Sequence, residues 1–209
     1  MSQLTTYNFP LLTSLKKLPR SFYARPALRV AKDLLGKTLV RRIGRDTLSG
    51  KIVEVEAYRG AKDPASHAYH GRTKRNEVMF HQGGCLYVYF TYGMHFCANI
   101  VTGKKDVGEA VLIRALQPVT GIEVMKRNRS FTKGARAKHS LTNGPAKLCQ
   151  AFGIEGKENG TDLLGDKIFL IAGVSIPKAH IGTSTRVGIS RGKEKRWRFF
   201  IKENAWLSQ

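Results

Sequence analysis

The chain has 209 residues, 42% of them hydrophobic, enough for one domain with a substantial core and no more. Its 36 Lys and Arg against 15 Asp and Glu leave a net charge of +21. Self-repulsion of that size calls for an anionic partner, nucleic acid ahead of a membrane, since no basic amphipathic helix is evident. Three cysteines, Cys85, Cys97 and Cys149, form no CxxC pair, which argues against a disulfide framework or a four-cysteine zinc site and for reduced thiols in an intracellular protein.

Residues 1–18 lack a basic run ahead of an apolar stretch, so they read as a loosely attached leader and not a secretory signal. A single domain is expected over 19–209. Pro26 opens a helical pattern through Leu28, Val30, Ala31, Leu34 and Leu35, which Gly36 ends. Strands are predicted at 37–43 and 51–58, separated by the polar turn Arg45-Asp46-Thr47. Within the second, Val53, Val55 and Ala57 share one face, and Ile52, Glu54, Glu56 and Tyr58 the other. That period of two predicts a half-buried strand with carboxylates roughly 7 Å apart along one face.

Residues 59–77 are polar and rich in turn formers, a long loop. The uncharged stretch around 82–103 has the length of a membrane span, but Gly83-Gly84, Gly93, its tyrosines, His95 and Asn99 favour a buried sheet. Within it, 85–101 reads as a hairpin: Leu86, Val88 and Phe90 alternate into a turn at 91–94, and Phe96, Ala98 and Ile100 return. A strand follows at 111–115. Helices are predicted at 120–129 and 143–152, the second with Asn143 as N-cap and Pro145 near the first helical position. Between them, 126–139 is the densest basic run. A strand at 167–172 and a pair at 186–189 and 197–202 complete a mixed α/β architecture.

Three groups of residues carry chemistry. Glu54 and Glu56 are two acids on one strand face of a basic chain; surface pairing with Lys or Arg is the ordinary fate of such residues, and general-base catalysis the other reading. The residues alone do not separate the two. Tyr87 and Tyr89 lie opposite the apolar face of their strand, and Tyr92 precedes Gly93 at the hairpin tip, where a ring could wedge between bases. The clusters 126–138 and 191–198, the latter around Trp197, suit phosphate contacts. The six histidines show no HExxH or HxH spacing, so no metal is expected. No GxGxxG, P-loop or nucleophile elbow is present.

The blocks LGKTLVRR, IVEVEAY, DPASHAYHGRTKRNEVMF, LYVYFTYGMHFCANIVTG, VLIRALQP, LTNGPAKLCQAFGI and WRFFIKENAWLS, in this order over about 20–208, resemble those of the alkyladenine, or methylpurine, DNA glycosylase family. The resemblance implies one α+β domain built on a curved antiparallel sheet with flanking helices and a hairpin that inserts into DNA. It implies a monomeric enzyme, free of cofactor and metal and away from membranes. Such an enzyme removes alkylated purines, and by extension deaminated or etheno purines, from double-stranded DNA and leaves an abasic site. By the same resemblance Glu56 is the general base acting on a water, which Arg114 and the carbonyl of Ile189 hold. Tyr58, His67 and Tyr89 sandwich and read the extruded base, Asn99 rejects normal guanine, and Tyr92 fills the gap in the stack. A non-catalytic RNA-binding module and a sugar hydrolase with Glu54 and Glu56 as an acid/base pair are the rival readings.

Overall fold

Strands β1 (Thr38–Ile43) and β2 (Asp46–Arg59) pair antiparallel, from Ile43 opposite Asp46 to Thr38 opposite Lys51. The computed structural model describes residues 16–130 and 138–208. Ahead of β1 come a single turn, α1 (Arg20–Tyr23), and the helix α2 (Ala27–Leu34), which starts behind Pro26 as predicted. Strands β3 (Leu86–Thr91) and β4 (His95–Thr102) form the expected hairpin, and β5 (Glu109–Thr120) returns beside β4. Then follow α3 (Ile122–Asn128), α4 (Pro145–Phe152), β6 (Ile168–Ile171), β7 (Ile181–Ser184) and β8 (Arg198–Ile201).

All eight strands join one antiparallel sheet in the order β3-β4-β5-β2-β1-β6, with β8 pairing to β2 and β7. Strand β2 is its spine: β5 runs along one edge, while β1 and then β8 share the other. The pairing of β2 with β5 slips between Ile52 and Val55. A bulge of this kind bends the strand and re-aims its side chains.

Apolar residues of α2, α3 and α4 cover one face of the sheet. Val30, Leu34, Met125, Leu148 and Phe152 meet Leu39, Ile52, Val55, Ala57, Ile100 and Ile113 there. A smaller cluster of Ala68, Met79, Phe80, Tyr87, Val101 and Ala110 lies under the 59–84 segment on the hairpin side.

Four local expectations are corrected. Strand β2 is not half-buried: every residue from Ile52 to Ala57 is buried, because side chains of β5 and β8, the loop at Val187 and the C-terminal Ser208 meet its polar face as well. The bulge also places Ile52 in the main core with Val55 and Ala57. The strand that pairs with β8 is Ile181–Ser184, not 186–189, which forms a loop. Helix α4 is preceded by Gly144, and Asn143 instead accepts a bond from Lys147 Nζ; Pro145 at the first helical position and Gly153 at φ +60° behind the last turn bound it. Of the expected leader, residues 1–15 lie outside the described residues; Lys17 bridges to Ile171 and Leu18 is buried in the main core. Part of the basic run, 131–137, also lies outside them.

Candidate active site

A cavity of about 550 Å³ opens on the face of the sheet opposite the main core, with Pro145 at the start of α4 among its lining residues. Strand alternation builds its wall: Tyr58 from β2, Tyr87 and Tyr89 from β3, Asn99 from β4 and Arg114 from β5 all project the same way. Tyr87 and Asn99 are register partners, and the Asn99 amide donates to the Tyr87 carbonyl at 3.2 Å. His67 enters from the loop behind β2, Ile189 from the loop behind β7, and Tyr92 from the hairpin tip.

Glu56 stands behind this wall with no solvent exposure. One carboxylate oxygen accepts the Val187 N–H at 2.8 Å and lies 3.1 Å from Arg114 Nη1; the other accepts the Tyr58 hydroxyl at 2.9 Å. Burial and the neighbouring Glu56 carboxylate together push the Tyr58 hydroxyl far above the usual phenol range, so it is a donor at any working pH.

Glu54, equally buried, has a different surrounding. Arg114 Nε and Arg198 Nε each donate to it at 2.7 Å, and the Ser208 N–H and hydroxyl each at 2.6 Å. Burial opposes ionisation, but Arg198, Ser208 and Arg114 outweigh it and hold the Glu54 carboxyl below the usual range. The Arg114 guanidinium therefore bridges both acids.

The opposite side of the cavity is aromatic. Tyr87 and Tyr89 stack at 5.6 Å, and the His67 ring meets Tyr89 edge-on at 4.5 Å. His67 Nδ1 and the Tyr87 hydroxyl share a 3.0 Å bond, while the Asn76 amide donates to the carbonyls of His67 and Gly71. Burial, helped by Arg75, lowers the His67 pKa, so the imidazole is neutral at physiological pH. Burial raises the Tyr87 hydroxyl to about 12. A flat ligand entering here meets the His67, Tyr87 and Tyr89 rings, with the Arg75 cation on the same lining.

At the hairpin tip, Tyr92, which lines the cavity, is 81% exposed, and Met94 is 69% exposed. Both Tyr92 and Gly93 adopt positive φ, 51° and 66°. Glycine tolerates that conformation freely, whereas an aromatic residue there is uncommon and strained.

The expected residues thus surround one cavity: Tyr58, His67, Tyr89, Tyr92, Asn99, Arg114 and Ile189 line it, and Glu56 backs it. Sequence reasoning missed three contributors. The Val187 N–H is a backbone group, invisible to motif reading. The Asp63–Arg186 pair joins residues 123 apart at 2.5 and 2.8 Å; the sole hint was an acid within the DPASHAY block of a basic chain. Ser208 completes the Glu54 cluster from 154 residues away. Among the described residues no three His, Cys, Asp or Glu side chains gather to hold a metal ion, and no helix is long and apolar enough to cross a membrane.

Comparison with known proteins gives a consistent picture. The family model described as methylpurine-DNA glycosylase matches residues 21–205. A Carboxydothermus hydrogenoformans protein named "Putative 3-methyladenine DNA glycosylase" is 52% identical over 193 residues, covering 92% of this chain and 98% of that one. Proteins of the same name from Clostridium botulinum and Chlorobium phaeobacteroides are 47% and 45% identical, each over 92% of this chain and over 98% and 96% of their own length.

Proposed function

The chain belongs to the methylpurine-DNA glycosylase family and is a hydrolase of N-glycosylic bonds in DNA, and on that premise we propose how its cavity performs the reaction and on which substrates. The substrates are alkylated purines in double-stranded DNA, with deaminated and etheno purines as further members of the set. The target nucleotide is rotated out of the helix at a cost of a few kcal/mol, least for a damaged or mispaired base. Its base enters between Tyr58, His67 and Tyr89. A purine methylated at the N3 or N7 position carries positive charge and gains cation–π attraction from those rings. Asn99 excludes normal guanine by clashing with its amino group.

Glu56 takes a proton from a water that Arg114 and the Ile189 carbonyl hold. The water oxygen bonds to the anomeric carbon of the deoxyribose as the C–N bond breaks. A cationic purine leaves as a neutral base, and the strand retains an abasic site. Tyr92 occupies the place of the extruded nucleotide, and the enzyme acts as a monomer.

The observation that carries this reading is the carboxylate of Glu56, sealed from bulk water behind an aromatic cavity and held by Tyr58, Val187 and Arg114. A structural glutamate gains nothing from such a cavity, whereas a general base requires it. The test is incubation with duplexes that each carry one defined lesion, followed by chromatography of the released bases. Release of methylated purines, lost in Glu56→Gln, is expected. Binding to methylated duplex without release of any base would leave a non-catalytic nucleic-acid-binding protein. For the duplex, log affinity should fall by about 0.9 per phosphate neutralised for each unit of log salt; a flat response would give the +21 charge another purpose.

A further inference from the structure

The loop behind β7 holds a cation that the reaction above does not use. Arg186 is buried at 5% exposure although it lies in a segment of otherwise exposed and half-buried residues. Its guanidinium donates to both carboxylate oxygens of Asp63, at 2.5 and 2.8 Å, and to the Ala57 carbonyl at 3.0 Å. It lies 4.6 Å from the centre of the Tyr58 ring and 5.2 Å from that of Trp197. Ala57 is the residue between Glu56 and Tyr58, and the Val187 N–H that donates to Glu56 follows Arg186 directly in the chain. Asp63 in turn accepts the N–H groups of Arg59 and Ala65 and so shapes the turn that leads to His67.

A buried ion pair is a poor device for stability alone, since apolar residues of similar volume commonly serve as well. What apolar residues cannot do is hold three segments in fixed directions, which a planar fork with several donors does. Here the segments are the strand that carries Glu56 and Tyr58, the turn that carries His67, and the loop that carries Val187 and Ile189.

We infer that Arg186 is a positioning residue for hydrolysis: locked to Asp63 and Ala57, it fixes the loop whose Val187 N–H orients the Glu56 carboxylate. The inference rests on Glu56 as the general base. Other groups also face that carboxylate: Tyr58 on its own strand, Arg114 from β5, Tyr89 from β3 and Cys97 from β4. Arg186→Lys keeps the positive charge and leaves these residues in place, while Tyr58 loses the guanidinium that lies 4.6 Å from its ring centre. Loss of the Val187 bond removes one donor from the anionic carboxylate and so favours its protonated form.

The test compares Arg186→Lys, Asp63→Asn and Glu56→Gln on a duplex with one 7-methylguanine. Single-turnover release is followed from acid to neutral pH, alongside lesion binding and thermal unfolding. Arg186→Lys should lose about 100-fold in rate, the scale of a misplaced catalytic group, with lesion binding far less affected. The acid limb of its rate profile should move to higher pH. Asp63→Asn, which leaves an amide oxygen to accept from Arg186, should show the same shift to a smaller extent and carries the readout should the lysine variant not fold. Rates that fall only in step with binding or folded fraction, with the acid limb unmoved, would make Arg186 a structural tie and overturn the inference. If Glu56→Gln still releases base, the base assignment itself fails; if it is inactive while the Arg186 limb stays fixed, only the inference falls.

Discussion

Two carboxylates two residues apart on β2 are both sealed from water, yet their surroundings are opposites. The region around Glu54 is closed by the protein's own groups, with two arginines and both donors of Ser208 filling its oxygens. The region around Glu56 lies against the cavity, behind the wall that Tyr58 and Arg114 form, and its carboxylate takes one backbone N–H, one phenol and one edge of the shared Arg114. Burial therefore does not distinguish a carboxylate built for structure from one available for chemistry. What distinguishes them is that four donors from the protein close around Glu54, whereas Glu56 lies against the cavity, as the proposed general base must.

The sharpest way to break that contrast is a pair of amide substitutions. Glu56→Gln should lower single-turnover base release by ~10²–10⁴, the usual cost of losing a general base, with lesion binding and thermal stability nearly kept. Glu54→Gln should do the reverse. It leaves Arg114 and Arg198 facing a neutral amide, and removing one partner of a buried ionic network typically costs about 3–5 kcal/mol. Calorimetry should show a marked fall in Tm, while the folded fraction still releases base. An inactive, stable Glu54→Gln beside an active Glu56→Gln would invert the assignment.

Acid sharpens the same contrast. The Glu54 carboxyl is held below its usual range in the folded protein, so its contribution to stability is complete above the unfolded-state pKa. That contribution is lost as pH falls through the lower folded-state value. Asp63 and Glu158, lowered mainly by Arg186 and by the Glu155 backbone and Lys167 against the opposing effect of burial, behave alike and remain in any Glu54 variant. Denaturant titrations at stepped pH should show a shallower acid loss for Glu54→Gln than for the parent. Identical slopes would mean that Glu54 is not held ionised by its partners.

The smallest expected effect lies at the outer edge of the open region. Tyr92→Ser should remove base–aromatic stacking of ~1–3 kcal/mol and slow release most for a well-paired lesion. With the lesion in single-stranded DNA or opposite a mismatch the loss should shrink. Tyr89→Ser, a change inside the cavity, should be costly in every context. Equal losses for Tyr92→Ser on paired, mismatched and single-stranded substrates would place that ring in the cavity and not between bases.

Local chemistry was legible in the chain and distant pairing was not. The hairpin over 85–101, the helix between Pro145 and Gly153 and the helix behind Pro26 follow from alternation, proline and glycine acting within a few residues. The 186–189 segment imitates a strand because Val187 and Ile189 alternate, whereas the true strand at Ile181–Ser184 has Gly182 where a second apolar residue would give the pattern, and only Ile181 is large and apolar. Alternation through 52–58 concealed a bulge, since the extra residue is set by β5, about sixty positions away. At the site, the residues alone offered Glu54 and Glu56 as equals. Only the resemblance ranked them, and the physical difference arises from Arg198, Ser208 and Val187, each more than 130 positions from its carboxylate.

The closure of Glu54 also has a bearing on how the molecule comes together in time. Its partners stand 60, 144 and 154 residues away along the chain, while the β3–β4 hairpin pairs residues at most 14 apart, Leu86 with Ile100. Sequence-distant contacts require large loops to close before they return any stabilisation, and chains dominated by them fold on the ms–s scale and not in microseconds. The hairpin can therefore form early, whereas the ionic cluster beneath the cavity must await β8 and the residues behind it. Until then Glu54, Arg114 and Arg198 remain hydrated, and the desolvation of all three falls in the last stage of folding.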